Sequence, residues 1–390
     1  MSSKKVIVLG TSFSSVPIYK ELQSAGYTSI SCGGNENDIG HLLSDEQIYI
    51  DYSEASKLID YLDRYKRKDF FVVPSSNDIA YKTACFIKDT FNIEGGTSWD
   101  LAEEVHEKDK FKALLNKLSI PTPSVFYNEA LNCLEDVDAV IVKPIDSFSG
   151  IGISICRSAQ ELEVATDLAE SISSAGEYIV EQFIEGSLHS CSLFMQDGDV
   201  KTSFFVDEFC FINQFQVSGS NSPSRLKLDT KDLVLGYISK IIKYLNYSDG
   251  LFHLQFIVKD DKPYFIEAML RCPGDLFPNL IELSKGINYT YYYLMSFIPG
   301  LADIMHPKPG FDIEKNFIWR ETLARECEFI YKGFSSRDSF NQIVDLYPLC
   351  GIGEVLMPAP KDKAGIIFST VDTNDLNKII NNRGAYELYW

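Results

Sequence analysis

Residues 140–153 read VIVKPIDSFSGIGI. An apolar run ends in Lys143, a Ser/Gly-rich turn follows, and a second apolar run begins beyond Gly150. A lysine closing a buried-looking strand, next to a turn of small residues, suits an anion. The ammonium supplies charge, and small residues let backbone N–H groups turn toward an oxyanion. The order differs from a Walker A loop, where the lysine follows the glycines and opens a helix. Taken alone, the stretch fits a hairpin with a snorkelling lysine equally well.

The chain of 390 residues has room for two or three domains. Its 45% hydrophobic and 23% charged residues place it among ordinary globular proteins. With 36 basic and 55 acidic residues, the net charge is −19. That balance argues against general nucleic-acid binding, which needs a basic surface. A small anionic ligand must then be held by locally placed lysine, arginine and backbone N–H groups. The nine cysteines are scattered singly without a CxxC pair, as expected of reduced thiols in a cytoplasmic protein. The apolar run in MSSKKVIVLG is short and broken by GTSFSS, so it reads as a first strand, not a leader. No stretch reaches the length of a membrane span.

Working outward from residue 140, residues 1–98 alternate strand-like and helix-like pieces: KVIVLG, SVPIYKELQSAG, YTSISCG, EQIYID, SEASKLIDYLDRYKRK and FFVVPS. This pattern predicts a parallel sheet covered on both faces. GTSFSS lacks the spacing of a dinucleotide fingerprint. From 98 to 123 the pattern is helical and ends at Pro121 and Pro123. Short strands follow, then a helix over LVLGYISKIIKYL with one wide apolar face. LFHLQFIV and PYFIEAML, joined by KDDK, predict a hairpin. HPKPG, at 306–310, suggests a linker into a smaller C-terminal unit ending in a strand, AGIIFSTV, and a helix, TNDLNKIIN.

Gln255 and Glu267 lie on the two arms of that hairpin, where their side chains can share a sheet face. An ionised carboxylate among apolar neighbours requires a cation or hydrogen bonds. Magnesium, which takes oxygen ligands from carboxylates and phosphates, is one answer; a solvated sheet face is the other. His253 reads as a satisfied core histidine, and His106 and Lys108 as members of a solvated helix face. In VDEFCFINQFQVSGSNSPSRLKL, an irregular stretch suited to a substrate wall, Arg225 fits either a bidentate carboxylate ligand or a surface charge.

HEKDKFKALLNKLSIPTP, VIVKPIDSFSGIGI, YIVEQFIEGS and GLFHLQFIVKDDKPYFIEAMLRCPGD occur in that order. Together they resemble the ATP-grasp superfamily, in particular its carboxylate–amine ligases and carbamoyl-phosphate-synthase-like members. The resemblance covers roughly residues 1–300 and is strongest over 106–275. It implies a mixed α/β and α+β chain. A Rossmann-like pre-ATP-grasp domain would span 1–98. A two-part ATP-grasp core would span 99–300, with a smaller subdomain over 99–180 and a metal-binding one over 181–300. A small lobe would span 301–390.

The resemblance further implies that Lys110 and Lys143 contact ATP phosphates and that Ser147, Phe148, Ser149 and Gly150 form a covering loop. Glu181, Gln182 and Phe183 would hold adenine, mostly through backbone groups. Gln255 and Glu267 would bind Mg2+. Arg271 would stabilise the transferring phosphoryl group or acyl phosphate, with Lys143 and Glu267 also catalytic. Many relatives hold ribose with a Glu where this chain has Leu188, leaving Glu185 or His189 to do so. Met269 replaces a metal-ligating Asn, which leaves one well-formed magnesium site and a doubtful second. The implied reaction joins a small carboxylate, such as an amino acid or sugar acid, to an amine, forming ADP and phosphate. ATP-dependent carboxylation, phosphoryl transfer and non-catalytic nucleotide binding remain the rivals, and a homodimer stays open.

Overall fold

The computed structural model describes residues 5–64, 70–126, 134, 137–145, 150–301, 317–337 and 342–390. Residues 5–98 form a parallel sheet in the order Glu46–Ile48, Thr28–Cys32, Lys5–Leu9, Phe70–Pro74. Val6, Ile7, Val8 and Leu9 of the central strand are fully buried, as a strand covered on both faces requires. Helices Val16–Ser24, Ile39–Leu43 and Ala55–Leu62 make the crossovers, and Asp78–Phe91 follows the last strand. Strand order reverses beside Lys5–Leu9, so the turns after that strand and after Phe70–Pro74 flank a crevice. Gly10, at φ +106°, lets them meet; a Cβ there would lie 1.9 Å from Ser75 Oγ.

Two helices, Trp99–His106 and Lys108–Lys117, lead into a small antiparallel sheet ordered Ser154–Cys156, Val140–Pro144, Tyr178–Gln182. Helix Ala159–Ile172 covers one face of it, burying Leu162, Ala165 and Ala169 against Val140, Val142 and Val180. A large antiparallel sheet then runs Lys262–Met269, Gly250–Lys259, Ser187–Gln196, Asp199–Phe209, Gly219–Ser222, Phe317–Leu323, Gly365–Val371, Gln342–Pro348. Its last three strands come from the part of the chain expected to be a separate lobe. That lobe shares the sheet, and only a satellite core around Trp319, Leu323, Phe329 and Leu376 is its own. HPKPG lies outside the described residues. The predicted helix is present as Leu228–Leu245, with Val234, Ile238, Ile241 and Ile242 buried.

Specific bonds seat the N-terminal unit on the large sheet. Tyr293 donates to the Pro74 carbonyl at 3.0 Å, and Asn288 donates to Glu21 at 2.9 Å. Arg271 grips Asp78, at the start of helix Asp78–Phe91, with Nε at 2.7 Å and Nη2 at 2.6 Å. His106 completes the joint. Its Nε2 accepts from the Leu270 N–H at 2.9 Å, so its proton sits on Nδ1, which donates to Asp78 at 2.9 Å. His106 is therefore neutral and enclosed, its side chain 1% exposed, and not on a solvated face. Burial raises the Asp78 carboxyl pKa, but the Arg271 charge and the bonds from His106 and Arg271 hold it well below the usual range.

Because that pKa is depressed on folding, the contribution of Asp78 is present above the ordinary carboxylate range and lost as pH falls. Asp78→Asn should lower stability by about 2 kcal/mol at pH 7, the scale of charge-assisted bonds at a half-buried site. The gap from the native protein should begin to narrow near pH 4 and close as pH falls through the depressed folded value. Urea melts at pH 7 and pH 3.5 measure it, and a gap of equal size at both would refute this account.

Candidate functional site

Between the small sheet and the large one lies a cleft lined by charged groups. Alternation along Val140–Pro144 buries Val140, Val142 and Pro144, leaving Ile141 and Lys143 on the opposite face. On the neighbouring strand Glu181 pairs with Ile141 and Ile179 with Lys143, which makes Lys143 and Glu181 diagonal neighbours on one face. Lys143 Nζ lies 2.6 Å from Glu181 Oε2, and Lys112 Nζ lies 3.1 Å from Oε1. Lys112 also donates to Thr122 Oγ1 at 2.8 Å and to the Phe265 carbonyl at 3.4 Å. Burial opposes ionisation of Glu181, but Lys143 and Lys112 outweigh it and bring its pKa down to about 2. Burial brings Lys112 down to about 8 despite the Glu181 charge beside it.

Lys110, expected at the phosphates, lies elsewhere. It projects from helix Lys108–Lys117 to pair with Glu103 at 2.7 Å on the outer side. Lys108 and Lys112, one turn apart, are the inward lysines of that helix. Lys108 donates to the Ile145 carbonyl at 3.3 Å, and burial lowers its pKa while the Glu267 charge counters this. The signal was in the sequence: positions 108, 111, 112 and 115 share a face that includes buried Phe111 and Leu115, while 110 does not.

Ser147, Phe148 and Ser149 lie outside the described residues. Gly150 packs tightly, since a Cβ there would meet the Phe215 Cβ at 2.6 Å. An open recess of about 440 Å³ adjoins it, lined by Ile212, Asn213, Gln214, Phe215, Glu326 and Arg383. At the strand end, the Gln182 N–H donates to the Ser124 carbonyl at 2.8 Å and the Phe183 N–H to the Ala139 carbonyl at 2.9 Å. Those two donors, expected to hold adenine, are engaged within the protein. Glu181 instead presents its side chain to two lysines. Glu185 is exposed, whereas His189 faces away from Leu188 and bridges Ser187 at 2.7 Å and Asp207 at 3.0 Å.

On the large sheet, Gln255 and Glu267 are cross-strand partners, so both side chains stand on one face. Gln255 Nε2 donates to Glu208 Oε2 at 2.7 Å, which leaves its Oε1 for a cation beside the Glu267 carboxylate. These are hard oxygen donors of the kind magnesium takes. Met269 pairs across the hairpin with His253. His253 is buried, bonded through Nδ1 to Ser192 Oγ at 2.7 Å, and held neutral by burial, with its pKa down to about 3.

Arg225 is not on this face. Its Nε approaches Asp207 at 3.4 Å and its Nη1 donates to Asn377 at 2.8 Å, which ties it to helix Thr373–Asn381. Asp207 and Glu208 are adjacent on one strand and point to opposite faces, and the cleft takes Glu208. Arg271 has three of its five N–H groups on Asp78 and the Cys272 carbonyl. The buried guanidinium on the cleft face is Arg320, which sequence reasoning did not single out. It is 3% exposed, with Nη2 on Ser220 Oγ at 2.7 Å and Nη1 on the Asp275 carbonyl at 3.0 Å; Nε has no partner among the described residues. Asp275 in turn pairs with Lys363 and accepts from Thr322 at 3.2 Å.

Among the described residues no helix is long and apolar enough to cross a membrane. Residues 105–273 match the ATP-grasp domain family. A D-alanine–D-alanine ligase from Coprothermobacter proteolyticus is 31% identical over 186 residues, which is 43% of this chain and 60% of the relative. A carbamoyl phosphate synthase large chain from Saccharolobus solfataricus is 22% identical over 65% of this chain and 24% of its own length. The chain thus spans less than two thirds of either relative. The crystal structure of phosphoribosylglycinamide synthetase from Anaerococcus prevotii superposes with a TM-score of 0.73 at 21% identity, covering 99% of both chains. Residues 105–273 are therefore a domain similar to the ATP-grasp family, and the whole chain shares its fold with the synthetase structure.

Proposed function

We propose that the protein is an ATP-dependent, ADP-forming ligase that joins a small carboxylate to an amine. The observation that carries this reading is the register of the Gln255–Glu267 pair, which sets two oxygen donors side by side on one face, with the Glu267 charge acting on Lys108. In this reading Lys143 and Lys108 hold the ATP phosphates and the loop 147–150 covers them. Gln255 Oε1 and the Glu267 carboxylate hold magnesium, which when bound neutralises phosphate charge. The D-alanine–D-alanine ligase relative supports an amino acid as the carboxylate.

The chemistry follows from the poor electrophilicity of a carboxylate. Its oxygen attacks the γ-phosphorus, a new O–P bond forms, and the bond to ADP breaks. The acyl phosphate then accepts an amine, and phosphate leaves with the acyl C–O electrons. Charge spreads over oxygens throughout, so fixed cations are the main catalytic tools. Arg320 is suited to the substrate carboxylate, since it is preorganised by Ser220 and the Asp275 backbone and its Nε has no acceptor among the described residues. The free N–H groups of Arg271 are suited to the phosphoryl oxygens, with Asp78 fixing the plane of the guanidinium. A covering loop keeps water from the acyl phosphate.

ADP release, measured with magnesium and ATP over a panel of carboxylates crossed with amines, should require both partners. Glu267→Gln should reduce the rate about 10²–10³-fold, the scale of a lost transition-state charge contact. AMP in place of ADP, or turnover without an amine, would overturn the reading. Arg320→Met should lower kcat/KM for the carboxylate about 10²-fold, the loss expected of a buried charge-assisted pair, with the KM for ATP unchanged. Kinetics with each substrate varied in turn separate these outcomes. An Arg320→Met enzyme that loses ATP affinity instead would move the carboxylate elsewhere.

A further inference from the structure

Glu181 is a side chain that the proposed mechanism does not use, yet it is held by two lysines. It is 2% exposed and carries two cations. The cations differ in freedom. Lys112 is itself 2% exposed along its side chain and is fixed by Glu181, Thr122 and the Phe265 carbonyl. Lys143 is 14% exposed and has Glu181 as its partner among the described residues. We propose that Glu181 parks Lys143 while the nucleotide is away, and that Lys112 is the positioning residue that lets Lys143 leave for the phosphates. This rests on the reading of Lys143 as a phosphate ligand.

The physical argument is one of local charge. A buried carboxylate cannot lose its counterion without a large penalty. If Lys143 were its sole partner, binding a phosphate would strand Glu181, and the lysine would stay where it is. With Lys112 fixed on the other oxygen, Glu181 keeps a partner when Lys143 turns away. Counting Lys112, Glu181 and Lys143, the native site has a net charge of +1 toward an incoming phosphate. Lys112→Met makes it zero, Glu181→Gln makes it +2, and the double variant returns it to +1. Phosphate affinity should follow that order, which a merely structural role for Lys112 would not produce.

The test is calorimetric titration of MgATP and, to remove any contribution of the base, of inorganic tripolyphosphate with magnesium. Glu181→Gln should bind tripolyphosphate tightest. The native protein, Lys112→Arg and Lys112→Met/Glu181→Gln should agree within about threefold, and Lys112→Met should be weaker by about tenfold or more, the expected scale for one close charge pair. Thermal melts record whether each variant is folded. A Lys112→Met protein that binds as the native one does, or a double variant as weak as Lys112→Met, overturns the inference. Should Lys112→Met not fold, Glu181→Gln decides alone, and tripolyphosphate binding no tighter than native overturns the proposal. Native MgATP binding that is indifferent to Lys143→Met removes the nucleotide reading itself, and this inference with it.

Discussion

A buried carboxylate, Glu181, is the point on which the two sheets are joined. Such a group must be paired or it will not stay ionised. The pairing here reaches beyond its own sheet. Lys112 comes from the helix before the small sheet, and it touches the Phe265 carbonyl on the edge strand of the large one. Thr122 donates to that same carbonyl at 2.8 Å, and the Phe265 N–H donates to the Pro121 carbonyl at 2.9 Å. The proline-rich exit of the helix is thereby stitched to the Glu267 strand. Charge satisfaction and backbone pairing act on the same few residues, and the spacing of the cleft follows from them.

Alternation in the large sheet sorts the remaining polar groups. The cleft face presents Glu267, Gln255, Ser190, Glu208, Ser220 and Arg320 across adjacent strands. The other face presents His189, Asp207 and Asn221, where Asp207 accepts from His189, Ser224, Asn221 and Arg225. One residue of register therefore decides whether an acid contributes to the cleft or to the back of the sheet. It is also the reason an arginine from the loop, Arg225, serves structure, while one from a distant strand, Arg320, reaches the cleft.

Local patterns in the sequence were enough for the parallel N-terminal sheet and the Gln255–Glu267 hairpin. Each depends on neighbours within a short stretch. What was not legible depends on non-local pairing. Phe317–Leu323 joins Gly219–Ser222 across about a hundred residues, and nothing in IWRET announces that its arginine will lie beside Ser220. His106 was misread for the same reason, because its enclosure comes from Asp78 and Leu270, both far away in the chain. The Lys110 assignment is different. There the helical period already sets Lys108 and Lys112 on the inward face with Phe111 and Leu115, and leaves Lys110 off it beside Glu103.

The two departures from family pattern, Leu188 and Met269, are related through the sheet. Leu188 stands directly opposite Glu208, so the carboxylate missing from one strand is present on the next, on the same face. Burial raises the pKa of Glu208, and its contacts with Ser190 and Gln255 oppose that shift. It accepts the Gln255 amide N–H, and this fixes which end of the amide points toward Glu267. The next row, Met269 with His253, is turned into packing, since Ser192 holds the imidazole and Tyr289 donates to Ser192 at 3.1 Å. A thioether and a neutral, already bonded imidazole are poor company for a hard cation. The hard oxygen donors thus concentrate at the Gln255–Glu267 pair, where Glu208 orients the Gln255 amide, and the row beneath is packed and internally bonded.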